Sequence, residues 1–150
     1  GVIMRKDLAE QLDPMSQPQT FAANALSAVV CMTNIDILMK NDLISRAGDL
    51  GEEIINKLKD ASSGIELIGE VRGRGLMIGI ELVTNRQTRE PIDGETMNNI
   101  VGGLLSNGII MVPCGRYGNV LRLMPSLTIT RNYMHKGVDI LLGVLRGIKV

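Results

Sequence analysis

Two strand-forming stretches, residues 65–71 and 76–83, are separated only by Arg72-Gly73-Arg74-Gly75. A linker this short leaves no room for the helical crossover that parallel strands need, so the two stretches pair antiparallel. The glycines suit a tight connection or a bulge. In the second stretch Leu76, Ile78, Ile80 and Leu82 share one face, and Met77, Gly79, Glu81 and Val83 share the other. The apolar face needs a cover, and the rest of the chain must supply it.

The flanking segments read as helices and further short strands. Residues 1–8 suggest the tail of a strand entering a short helix, and residues 12–19, with Pro14 and Pro18, form a loop. Residues 21–40 read as a long helix whose apolar side chains cover nearly its whole circumference, which predicts burial on most sides. Asn24, Asn34 and Asp36 argue against a membrane span there, because a charge amid lipid is costly. Asn41 and Asp42 suit the cap of a second helix, in which Leu43, Ala47, Leu50, Ile54 and Leu58 form one stripe. Residues 85–93 read as a polar surface loop holding Pro91, and residues 95–107 as a helix weakened by Gly102 and Gly103. Residues 109–112 and 120–124 read as short strands around a Pro-Cys-Gly-Arg-Tyr-Gly turn. Thr130 suits the cap of a last helix with the stripe Met134, Val138, Leu141, Leu145 and Ile148. The sum is an α+β fold: a small antiparallel sheet with helices packed on one face.

Composition narrows function more than fold. Basic and acidic residues balance at 16 each, with no basic stripe, which disfavours a nucleic-acid partner. One Phe, two Tyr and no Trp provide no stacking platform. Cys31 and Cys114 lack metal-site spacing and His135 is the lone histidine, so no metal centre is expected. With no signal-peptide pattern at the start, the cytoplasm is the expected compartment.

Few residues carry chemistry. Arg122 shares a strand face with Val120 and Met124, and a guanidinium there calls for an anion. It is either a clamp for a substrate carboxylate or a structural arginine, ion-paired or in water. Thr20 precedes the long helix, where free N–H groups favour phosphate, or it is a plain cap. Glu81 on an apolar strand calls for a basic partner. Arg72 and Arg74 read as surface or subunit-contact charges.

At this point the chain resembles a family. Thr20-Phe-Ala-Ala-Asn-Ala-Leu-Ser-Ala is similar to the Thr-Phe-Gly-Gly-Asn-Pro-Leu segment of class III (fold-type I) pyridoxal-phosphate aminotransferases. Val71-Arg-Gly-Arg-Gly-Leu-Met-Ile-Gly-Ile-Glu-Leu82 resembles their Arg-Gly-x-Gly-Leu-Met-x-Gly-x-Glu-Leu strand pair. Asn119-Val-Leu-Arg-Leu-Met-Pro-Ser-Leu-Thr128 resembles their Asn-Val-Ile-Arg-x-x-Pro-Pro-Leu segment, and Gly137-Val-Asp-Ile-Leu141 fits their closing helix. The group includes 4-aminobutyrate, ornithine, acetylornithine and diaminobutyrate aminotransferases. The resemblance implies that Arg122 binds a carboxylate of the amino acid or oxo acid. It implies that Thr20 reaches the cofactor phosphate of a neighbouring subunit. Residues 1–42 would be a remnant of the large domain with its connecting helix, and residues 43–150 the C-terminal small domain. Ala22, Ala23, Ala25 and Ser126 replace the family's Gly, Gly, Pro and second Pro. The family's Schiff-base lysine would fall before Gly1. The expectation is therefore a transaminase fragment, with pyridoxal 5'-phosphate in the complete enzyme, none bound covalently by this chain alone, and no catalytic residue within it. Its partners would be a second copy or the missing large domain. The alternative is a stand-alone, non-catalytic module that binds a small carboxylate or self-associates.

Overall fold

The computed structural model describes residues 4–12 and 24–148. The chain divides into two compact units, Gly1–Leu38 and Met39–Val150. Thr20 lies outside the described residues.

In the first unit a single short turn, α1 (Lys6–Ala9), precedes the long helix α2 (Ala25–Lys40), which ends just past the unit's boundary. The side chain of Asn24 accepts from the Ser27 N–H at 3.0 Å and caps α2. The predicted burial is not found: α2 has no buried residue, and Leu26 and Met32 are 74% and 68% exposed. An apolar helix is covered only where another apolar layer meets it, and the four-residue α1, itself without a buried residue, offers none. Among the described residues no helix is long and apolar enough to cross a membrane.

The second unit begins with α3 (Leu43–Ser62). Its stripe packs as the periodicity requires, with Leu43, Ala47, Leu50, Ile54 and Leu58 all buried. The side-chain cap expected of Asp42 does not form. Asp42 adopts a left-handed backbone, φ 47°, and its side chain makes no cap hydrogen bond. From that conformation the carboxylate misses the helix N–H groups it was expected to accept from.

Strands β1 (Ile68–Arg74) and β2 (Met77–Asn85) form the antiparallel hairpin, with Arg72 opposite Gly79 and Arg74 opposite Met77. The turn is therefore Gly75-Leu76 rather than residues 72–75, and Gly75 supplies the positive φ, 56°, that a two-residue hairpin turn needs. α3 lies so close to this turn that a β-carbon on Gly51 would stand 2.1 Å from the Gly75 carbonyl oxygen. The predicted surface loop contains a two-residue strand, β3 (Glu90–Pro91), paired to β2.

Helix α4 (Gly94–Ser106) starts at Asp93, whose carboxylate accepts from the Thr96 N–H at 2.7 Å, and that bond lowers its pKa. Residues 109–112 do not form the predicted strand. Pairing moves to β4 (Pro113–Cys114), which meets β5 (Val120–Leu123) only at Leu121 and Val120. The ladder with β5 ends at Pro113, which has no N–H to donate, and residues 109–112 stay unpaired, leaving Ile110 84% exposed. Thr130 caps α5 (Arg131–Gly147) by accepting from the Tyr133 N–H at 3.3 Å.

The sheet order is β1-β2-β5-β4, with β3 on β2 and every pairing antiparallel. Ile78, Ile80, Leu82 and Leu121 join the stripes of α3, α4 and α5 in one buried cluster. The helices thus share one face of the sheet, and the alternate strand residues line the other.

Candidate functional site

The position of Arg122 follows from the residue that opens its strand. Asn119 is the one buried polar residue among those described; its amide nitrogen donates to the Leu82 carbonyl, and its own carbonyl accepts from the Leu82 N–H, both at 2.8 Å. This two-way bond pins the start of β5 to β2 and sets the register Glu81 opposite Val120, Ile80 opposite Leu121 and Gly79 opposite Arg122. Leu121 is then driven into the core, and Arg122 is placed on the face away from the helices, where it is exposed.

Gly79 sits between two arginines on that face, because Arg72 is its partner on the other side. The two guanidinium groups have different surroundings. Arg72 is held by Glu81 at 2.6 Å and Glu70 at 3.1 Å, and Arg89 also reaches Glu70 at 3.3 Å. The hydrogen bond to Glu81 is the main reason that the Arg72 pKa rises above the ordinary arginine value. Glu81 has thus found the basic partner its place on the strand demanded. Arg122 makes no ion pair with any described acidic residue. Val120 shares its strand face but is buried, and Met124, beyond the strand end, is exposed.

Beside Arg122 lies a cavity of about 340 Å³ between residues 109–112, the end of β5 and α5. Met111, Leu123, Met134 and Val138 are among its lining, and Arg122 is the one charged residue that lines it. The loop that closes one end is tied to α3, since the Arg46 guanidinium donates to the carbonyls of Leu127 and Ile129. Sequence reasoning placed Arg46 merely off the α3 stripe. Its position one residue before the buried Ala47 was the available signal that it could reach inward.

The lone histidine has a structural setting. His135 Nε2 donates to Glu53 at 2.6 Å, which leaves Nδ1 to accept from Lys57 at 3.3 Å. Lys57 also pairs with Asp139 at 2.5 Å, and Arg131 pairs with Glu53, so these groups cross-link α3 and α5. Cys114 is half-buried in β4 and free. Among the described residues no cluster of His, Cys, Asp or Glu could hold a metal ion.

Comparison with known proteins gives a consistent picture. The family model for class-III aminotransferases matches residues 1–145. An alanine/serine racemase from Pyrococcus horikoshii is 33% identical over 141 residues, 94% of this chain and 29% of the racemase. A 4-aminobutyrate aminotransferase from Mycobacterium leprae is 35% identical over 126 residues, 84% of this chain and 28% of that enzyme. A Bacillus anthracis aminotransferase structure superimposes with a TM-score of 0.81 at 28% identity, covering 89% of this chain and 30% of that one. The chain therefore spans about 30% of the length of the proteins it resembles.

Proposed function

The chain belongs to the class-III aminotransferase family, and we propose that within such an enzyme it is the carboxylate-binding part. Residues 43–150 act as the small domain, and residues 1–42 as the end of the large domain with its connecting helix. In the complete enzyme an amino group passes from an amino acid, such as 4-aminobutyrate, to a 2-oxo acid. Arg122 holds the carboxylate of whichever acid is bound, and Thr20 contacts the cofactor phosphate.

One observation carries the role of Arg122. Of the two arginines flanking Gly79, Arg72 is saturated by glutamates, and Arg122 is exposed without an ion pair to any described acid. A planar guanidinium meets a carboxylate through two parallel hydrogen bonds, which fixes the direction of the acid as well as its place. The apolar wall beside it lowers the local dielectric and strengthens the pair.

Complete enzymes of this family use pyridoxal phosphate, which supplies the electron sink for moving the amino group. Its covalent attachment requires a lysine amine. None of the described lysines lines the cavity beside Arg122, and Lys57 is engaged by Asp139 and His135. The described residues do not fit that attachment. The contribution of this part of the chain is to bind and orient the acid.

The exposed apolar surface of α2 supports a macromolecular partner, either a second copy or a large domain laid against it.

Titration of 2-oxobutyrate against the full chain, followed by heteronuclear NMR, tests the clamp. Arg122→Ala should weaken binding by about 10-fold or more, the value of a charged hydrogen-bonded pair. Arg122→Lys should fall between, keeping charge but not the planar fork. Equal affinity in Arg122→Ala and wild type would place the carboxylate elsewhere.

A further inference from the structure

The cavity beside Arg122 exists because a strand is missing. β4 covers β5 only at Val120 and Leu121, and past that point residues 109–112 run unpaired beside Arg122, Leu123 and Met124. The gap is floored by Met134 and Val138 of α5, both buried, and closed at one end by the loop that Arg46 ties to α3. The floor belongs to the packed core, whereas Ile110, Val112, Met124 and Tyr133 on the rim are exposed. The lining of the gap is mostly apolar, with Arg122 and the phenol of Tyr133 as the polar side chains, and its volume of about 340 Å³ is that of a small-ligand site.

We propose that this gap is the side-chain subsite for the 2-oxo acid held by Arg122, so that the chain selects 2-oxo acids with an uncharged, apolar tail. The inference rests on the carboxylate reading of Arg122. A 2-oxo acid anchored there by its C1 carboxylate has one substituent on C2 left to place besides the reacting oxygen. The neighbouring space offers that substituent methyl and methylene groups of Met111, Leu123, Met134 and Val138. A second carboxylate in the tail would lose its hydration against these walls with no partner cation and is disfavoured. Each added methylene in an apolar site strengthens binding by about fourfold.

Gly137 provides the means to test this. It lines the cavity from within α5, and a β-carbon on it would meet nothing within 4 Å. Gly137→Leu fills the space with a good helix former and removes no core side chain. The experiment titrates pyruvate, 2-oxobutyrate, 2-oxopentanoate and 4-methyl-2-oxopentanoate against wild type, Gly137→Leu and Arg122→Ala. The readout is the ¹³C-methyl spectrum of methionine, in which Met111, Met124 and Met134 line the cavity. Affinity in wild type should rise at least tenfold across the series, with shifts concentrated at those three methyls. Gly137→Leu should flatten the series while binding pyruvate within threefold of wild type, and Arg122→Ala should weaken every acid by a similar factor. A flat wild-type series, with Arg122→Ala still impaired, overturns the subsite and leaves the clamp standing. A graded series that Arg122→Ala leaves unchanged overturns the clamp. No binding of any acid by wild type overturns both, and a graded series that persists in Gly137→Leu places the tail outside the gap.

Discussion

α2 and α3 lie almost end to end in the sequence and have opposite fates. α2 carries apolar residues on every side and buries none of them, whereas α3 is more polar on average and buries a complete stripe. α2 is capped by Asn24, whereas α3 begins at Asp42 without a side-chain cap. Hydrophobic content therefore does not decide burial here; segregation does. One apolar stripe matches one sheet face, and α3 finds that face in the hairpin of β1 and β2. An unsegregated helix needs partners on several sides, and the described residues of its own unit supply none.

The closest approach in the α3 packing should be the most sensitive point. A methyl group at Gly51 would overlap the Gly75 carbonyl, a backbone atom that cannot rotate aside. Gly51→Ala should cost about 3 kcal/mol or more in urea denaturation, at the upper end of overpacking effects. Gly48, three residues earlier on the same helix, is exposed, and a β-carbon there would meet nothing within 4 Å. Gly48→Ala should change stability in the opposite direction, by up to about 1 kcal/mol, through helix propensity alone. Equal effects of the two substitutions would show that α3 is not seated on the hairpin as described.

The starts of the two helices give a smaller contrast. Asp42 holds a left-handed backbone that costs an L-residue about 1 kcal/mol and returns no side-chain cap. Asp42→Gly removes that cost and should raise the urea midpoint by an amount corresponding to about 0.5–1 kcal/mol, less the extra unfolded-state freedom of glycine. Asn24→Ala removes a real cap, but from a helix packed against nothing described in its unit. It should speed amide exchange in the first turn of α2 and leave the denaturation midpoint of the second unit where it was. A shift of that midpoint would mean that α2 stabilises the packed core after all.

What could be read in advance divides along the same physical line. The stripe of α3, that of α5 from Met134 to Leu145, the antiparallel hairpin and the Thr130 cap are local or periodic signals, and each is present in the structure, whereas Ile148 falls past the end of α5 in extended backbone. Features that depend on what lies opposite were not legible. Ile109, Ile110 and Val112 have strong strand propensity, yet stay unpaired where the ladder between β4 and β5 ends at Pro113. The cavity beside Arg122 is a product of that missing pairing, so no residue pattern announces it. The hairpin register depended on placing the turn at Gly75 and Leu76; with that known, Arg72 and Arg122 fall on either side of Gly79. The exposed position of Arg122 could be anticipated as one of two readings. The saturation of Arg72 by two glutamates, which makes the difference between the arginines, could not.

The smallest change in folding stability should come from the most drastic change in chemistry. Leu26 and Met32 are among the most exposed apolar residues of α2, and replacing both by charged helix formers, Leu26→Glu with Met32→Lys, alters no described packing. The unfolding free energy of the second unit should move by less than about 0.5 kcal/mol, as for surface substitutions in general. Association should respond strongly, because an apolar surface open on all sides is a site for partners or for aggregation. Sedimentation velocity across a concentration series should show wild type gaining mass with concentration and the double variant remaining at 16.3 kDa. The pair of measurements separates two ideas that α2 otherwise confounds. If stability falls with association, the helix is a structural part of the fold seen in α3 and its sheet. If only association falls, α2 is an interface whose cover comes from another copy or another part of a longer enzyme, and the contrast with α3 is one between a surface awaiting contact and a surface already satisfied.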